Sequence, residues 1–167
     1  MERFWNIILY FAYRADIKLT WYFYKYIGAF LFLNLPFMKK RYEKGGIKDP
    51  VAHLMEVHKR PDIGFSSFFA GGLVCGSQGS FLLGLFMCFP NRQLPIEILA
   101  VCLVAIVLFD YIMLLHKNKY LKYFKEFDQK PRKWKVKWAW ISLGVILFQF
   151  AFFFFAGFVL NPYIKNL

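Results

Sequence analysis

Two long stretches of this chain carry no charged residue: Ile63 to Asn91 and Trp138 to Ile164. About 20 apolar residues in a helix suffice to cross the hydrocarbon core of a bilayer, so uncharged runs of this length are membrane spans. The composition agrees, since 59% of the 167 residues are hydrophobic and 22% are aromatic. A soluble domain of this size could not hide so much apolar surface, and a disordered chain would be poor in aromatic and branched residues. The expected fold is all-α, a polytopic membrane helical bundle forming a single membrane domain over residues 1–167.

Hydropathy and charge divide that domain further. Within 3–19, Arg3, Asn6, Arg14 and Lys18 fall on one side of a helical wheel, with Phe4, Ile8, Phe11, Ala12, Ala15 and Leu19 on the other. The split predicts an amphipathic helix lying in the interface. Residues 20–38, apolar apart from Lys25 and Asn34 and closed by Lys39-Lys40-Arg41, are read as the first of four predicted transmembrane helices. The other spans are 64–89, 95–116 and 138–160. The alternative is three spans with a re-entrant or interfacial N-terminal segment, because Asn34 and Pro36 can break the first. Spans 64–89 and 95–116 are joined so closely, through Pro90, Asn91 and Pro95, that they form an antiparallel hairpin. Asp49-Pro50 reads as an N-cap with proline at the first helical position. Lys119–Phe127 reads as a continuation of the third span that Pro131 ends. Trp134, Trp138 and Trp140 form an aromatic belt at the entry to the last span, which Asn161-Pro162 ends.

Orientation follows from where the basic residues sit. Loop 39–62 holds seven Lys and Arg and loop 117–137 holds nine, while 90–94 and the tail hold one each. Both basic loops are therefore expected in the cytoplasm. Four spans then put the N-terminus outside, against the preference of Arg3, Arg14 and Lys18; three put it inside. A net charge of +12 would suggest nucleic acid in a soluble chain. Here anionic lipid headgroups are the nearer partner, met by Lys130, Arg132, Lys133, Lys135 and Lys137, and no nucleic acid is expected. No signal-peptide pattern is expected either, since Arg14, Asp16 and Lys18 interrupt the early apolar stretch.

The strongest local pattern is Gly72, Gly76, Ser80 and Gly84, which recur every four residues. Small residues at that spacing open a shallow helical groove, against which a second backbone can rest closely. It seats either another helix of this chain or a helix of another protomer or subunit. Asp110 is the one acid deep in a predicted span, and Gln78 and Gln149 lie near the centres of theirs. A carboxylate facing lipid is costly, so Asp110 should face the bundle, either bonded structurally or serving a proton or ion path. His53, Glu56 and His58 lack metalloprotease spacing, and no phosphate-cradling glycine loop or nucleophile elbow occurs. Cys75, Cys88 and Cys102 match no metal pattern and read as packing residues. No catalytic residue, metal or cofactor is expected.

The loops are too short for a soluble catalytic domain. The chain therefore reads as a non-catalytic integral-membrane subunit of a multi-protein assembly of the secretion or transport type. Its expected partners are membrane lipids and other membrane subunits or itself. The alternatives are a homo-oligomeric channel or pore, and a lipid-binding, lipid-flipping, immunity or regulatory membrane protein. The expected location is a bacterial inner membrane.

Overall fold

The computed structural model describes residues 1–33, 35–61, 64–88 and 96–160. The expected hairpin turn at Pro90, Asn91 and Pro95, the stop at Asn161-Pro162, and Asn34 lie outside these residues. The described chain is helical throughout, with no strand. Its α-helices are α1 (Glu2–Tyr22), α2 (Pro36–Lys44), α3 (Pro50–His58), α4 (Phe65–Cys88), α5 (Ile96–Asp110), α6 (Lys119–Asp128) and α7 (Arg132–Phe155). Among the described residues, three stretches are long and apolar enough to cross a membrane: Phe65–Cys88, Glu97–Leu114 and Arg132–Val159. At most 22% of any of these windows is buried, so their apolar side chains point outward, as lipid-facing helices require. The chain is thus an integral membrane protein by helix length and composition. The stretch expected as the first of four spans, residues 20–38, is not a fourth such helix. Its start belongs to α1, Phe23–Leu33 is wound as a π-helix, and Pro36 begins α2.

Where one domain was expected, the chain divides into two compact units, Ala12–Ala70 and Met1–Phe11 with Gly71–Leu167. In the first unit, short helices are set by local signals. Pro36 opens α2 after extended Leu35, and Gly46 adopts φ +66° beyond its end, where the Ile47 amide returns to the Tyr42 carbonyl at 3.0 Å. The Asp49 carboxylate accepts the Ala52 amide at 3.0 Å and Pro50 follows, as the sequence predicts for the cap of α3. Met55 buries itself, His58 Nδ1 donates to the Leu54 carbonyl at 3.1 Å, and the Tyr13 hydroxyl donates to the Lys59 carbonyl.

In the second unit, α4 packs between α5 and α7. Gly79 faces Leu103 of α5, and the Phe81 ring lies 5.0 Å from Phe152 of α7. The expected continuous extension of the third span does not form. After Asp110 the helix loosens into a π-turn over Tyr111–Leu115, a single 3-10 turn spans His116–Asn118, and Asn118 sits at φ +53° before α6 begins. Asn tolerates this left-handed conformation better than most residues, which makes it a natural corner. Helix α6 then buries Tyr120, Phe124 and Phe127, an i, i+4, i+7 stripe. Tyr10 of α1 meets two of those rings, at 5.3 Å from Phe124 and 5.6 Å from Phe127. Trp134 closes the cluster from α7, 5.4 Å from Phe127 and 6.3 Å from Phe11.

This packing changes the reading of α1. Asn6 through Tyr10 are all buried, so at this level the helix has no wet face. Asn6, expected among the polar interfacial residues, instead donates through Nδ2 to the carbonyls of Glu2 at 2.9 Å and Met113 at 3.2 Å.

Candidate functional site

Consecutive positions of the small-residue pattern on α4 drift by about 40°, because four residues of a helix rotate through about 400°. From Gly72 to Gly84 the pattern therefore winds through roughly 120°, so its two ends turn toward different sides of α4. At one end Gly84 is buried, and a Cβ there would lie 2.9 Å from Phe152 Cδ1 and 3.1 Å from Phe153 Cα. That half seats the last helix of the same chain. At the other end Gly72 and Gly76 are exposed, with no atom beyond their own helix within 4 Å of where a Cβ would stand. Ser80 lies between and turns its hydroxyl back to the Gly76 carbonyl at 2.9 Å. Phe65, Phe68 and Phe69, all exposed, continue the open face toward the start of α4. Ser66, Ala70, Val74 and Ser77 form its buried opposite side. The open half is thus a notch with aromatic shoulders on an apolar helix.

Asp110 faces the bundle, being only 7% exposed, and its Oδ1 accepts Gln78 Nε2 at 3.0 Å. The bond ties α4 to α5 where both cross the apolar layer. Asp110 Oδ2 and Gln149 Oε1 are buried with no hydrogen-bond partner among the described residues. The structure brings Asp110 and Gln78 together and places Gln149 on the buried side of α7. Among the described residues no group of three or more His, Cys, Asp or Glu could hold a metal ion.

Of the basic residues after α6, Lys130 pairs with Glu126 at 3.5 Å and Lys135 donates to the Asp128 carbonyl at 2.7 Å. Arg132, Lys133 and Lys137 are exposed on the first turns of α7.

A polar cluster between α1 and α6 was not foreseen from the sequence. The Lys119 ammonium meets the Glu2 carboxylate at 3.0 Å, the Tyr123 hydroxyl donates to Glu2 at 3.2 Å, and Arg3 pairs with Glu126 at 2.6 Å. The Tyr10 hydroxyl donates to Asp128 at 2.6 Å. The Lys119 hydrogen bond holds the Glu2 carboxyl below its usual range, while burial and then Glu2 itself push the Tyr123 phenol up. The available signal was the aromatic stripe of α6, which demands a partner helix but does not say which.

No protein-family model, curated protein or solved structure matches this chain.

Proposed function

We propose that the chain is a non-catalytic integral-membrane subunit, of a secretion- or transport-type assembly in a bacterial inner membrane, and that the open half of the α4 groove seats a helix of another subunit. The observation that carries this reading is the contrast between Gly84, which the chain's own Phe152 fills, and Gly72 and Gly76, which nothing fills. Lipid tails are as apolar as leucine, so helices associate in a bilayer through close packing and interhelical bonds, for which bare backbone is the best surface. A lipid chain fits such a notch less well than a second helix does. The bonding of Asp110 to Gln78 favours a structural role for that acid over an ion path.

The topology that goes with this reading has three spans and a cytoplasmic N-terminus. Two segments in contact outside the apolar layer lie on the same side of the membrane, so an even number of crossings separates them. Glu2 contacts Lys119 and Tyr123, and α4 and α5 supply two crossings between them. A crossing at 20–38 would make three. With none there, Arg3, Arg14 and Lys18 join the other basic residues inside, as the charge rule prefers. Arg132, Lys133 and Lys137 then meet anionic headgroups.

The groove is tested by comparing leucine at its two ends. Gly76→Leu has open space within the chain, so the monomer should keep its thermal stability while the native assembly in mild detergent falls to smaller mass. Gly84→Leu should drive a side chain into Phe152 and lower the stability of the chain itself by about 1–3 kcal/mol. Unlike chains co-purifying with the parent support the subunit reading, and a ring of identical chains supports the channel. An unchanged assembly mass in Gly76→Leu removes the groove from the argument.

A further inference from the structure

The Ala12–Ala70 unit holds an open hollow of about 670 Å³, within the range of small-molecule sites. One wall is a stripe of the first helix, Thr20, Phe23 and Ile27, spaced by three or four residues. The other is His58 from the end of α3 with Phe65 and Phe69 from the first turns of α4. His58 joins the two walls, its ring centroid 5.5 Å from that of Tyr24 and 5.8 Å from that of Phe65. Asp16 is the one acid among the described lining residues, and its Oδ2 is shut away inside the protein.

Leu19 and Phe65 of the lining are 68% and 61% exposed, so the described chain does not close the hollow over itself. Its place in the fold says what does. Phe65 and Phe69 begin the span Phe65–Cys88, so their wall stands where the chain enters the hydrocarbon, and the hollow is continuous with the lipid phase. Water against these rings is unfavourable. An acyl chain laid between the walls removes that surface from water and gains dispersion contacts on several sides, more than a convex helix face offers. Charge selects the headgroup. Lys18 precedes Leu19 of the lining and Lys59 follows His58, and both lysines are exposed. The Tyr13 hydroxyl donates to the Lys59 carbonyl, which holds the end of α3 against the helix that carries Lys18. We propose that the hollow seats one acyl chain of an anionic phospholipid, with Lys18 and Lys59 at its phosphate. Neither Gly72 nor Gly76 lines it, so the site is independent of the groove assigned to another subunit.

The test uses the full chain in phosphatidylcholine nanodiscs doped with phosphatidylglycerol that carries a diazirine on one acyl chain. After irradiation, the labelled peptides are read by mass spectrometry. Residues 19–27 and 65–69 should be labelled above the span Arg132–Val159, and the same diazirine carried on phosphatidylcholine should label them less. Thr20→Trp fills the hollow from its wall and should cut labelling of 65–69 by about tenfold, equivalent to displacing about two methylenes. Thr20→Ser leaves the hollow open and should label like the parent, which keeps a folding defect from passing for a filled site. Lys18→Gln combined with Lys59→Gln should abolish the preference for phosphatidylglycerol while the acyl contact persists. Labelling of the lining no stronger than along α7, as for lipid that merely surrounds the spans, overturns the proposal. A lining left unlabelled because another protein covers it does the same, as does an equal response of Thr20→Trp and Thr20→Ser. Equal labelling by the two headgroups in the parent removes the lysines from the site and with them the anionic lipid.

Discussion

At the scale of single residues, Glu2, Arg3, Asn6, Tyr10 and Asp110 are held by partners far away in sequence. Asp110 shows the energetic consequence. In Asp110→Leu, Gln78 loses its acceptor inside the apolar layer, and thermal unfolding in detergent should report a loss of about 1–2 kcal/mol. Asp110→Asn keeps an oxygen for Gln78 to donate to and should stay near the parent. If Asp110→Asn instead abolishes an ion flux while the chain stays folded, the structural role assigned to this acid is wrong. Glu2 gives a pH prediction. Its carboxyl is depressed in the folded chain, so its share of stability is present above the ordinary carboxylate range near 4.5 and is lost as pH falls through the lowered value. Docking of α1 on α6 should therefore loosen at acid pH, read as faster amide exchange over residues 6–10. Glu2→Gln should remove that acid dependence. A parent whose exchange protection is flat from pH 7 to pH 3 contradicts the assignment.

At the scale of elements, local signals were legible and partner choice was not. The cap at Asp49 and the spans in α4 and α7 each rest on residues near one another in sequence, and each could be read directly, whereas Pro36, which starts α2, was read only as a residue that can break a span. The break after Asp110 could not, because Tyr111–Leu115 is as apolar as the span before it and only Asn118 marks a corner. Helix α1 left its partner open for a different reason. Its wheel separates charge from hydrocarbon, which fits a bilayer surface, yet α6 offers Lys119 and Glu126 to pair with those charges and an aromatic stripe to bury Tyr10. A helical wheel reports which side is polar, not whether water or another helix supplies the polar partner. In the groove, the four-residue spacing was plain, and the 40° drift per step turns its ends to different sides: Gly84 lies against the chain's own Phe152, while Gly72 and Gly76 stay open, the end proposed above to seat another chain.

At the scale of the whole molecule, the proposed three-span arrangement makes a topology prediction. Cysteines placed at Lys18, Lys44 and Lys125 should be shielded from an impermeant thiol reagent in intact cells, and one at Asn91 should be labelled. Labelling at Lys18 together with protection at Lys125 would restore the fourth crossing. The docking of α1 on α6 also has a consequence for how the protein is made. Its bonds join residues 117 to 123 positions apart, so the first helix is synthesised long before the surface it fits. At about 5–20 residues per second the partner emerges roughly 5–25 s later. Throughout that interval Tyr10, destined for burial, lacks the Phe124 and Phe127 rings and the Asp128 carboxylate that it meets in the finished fold. The membrane surface or the insertion machinery must shelter the segment. Its amphipathic pattern suits that waiting state.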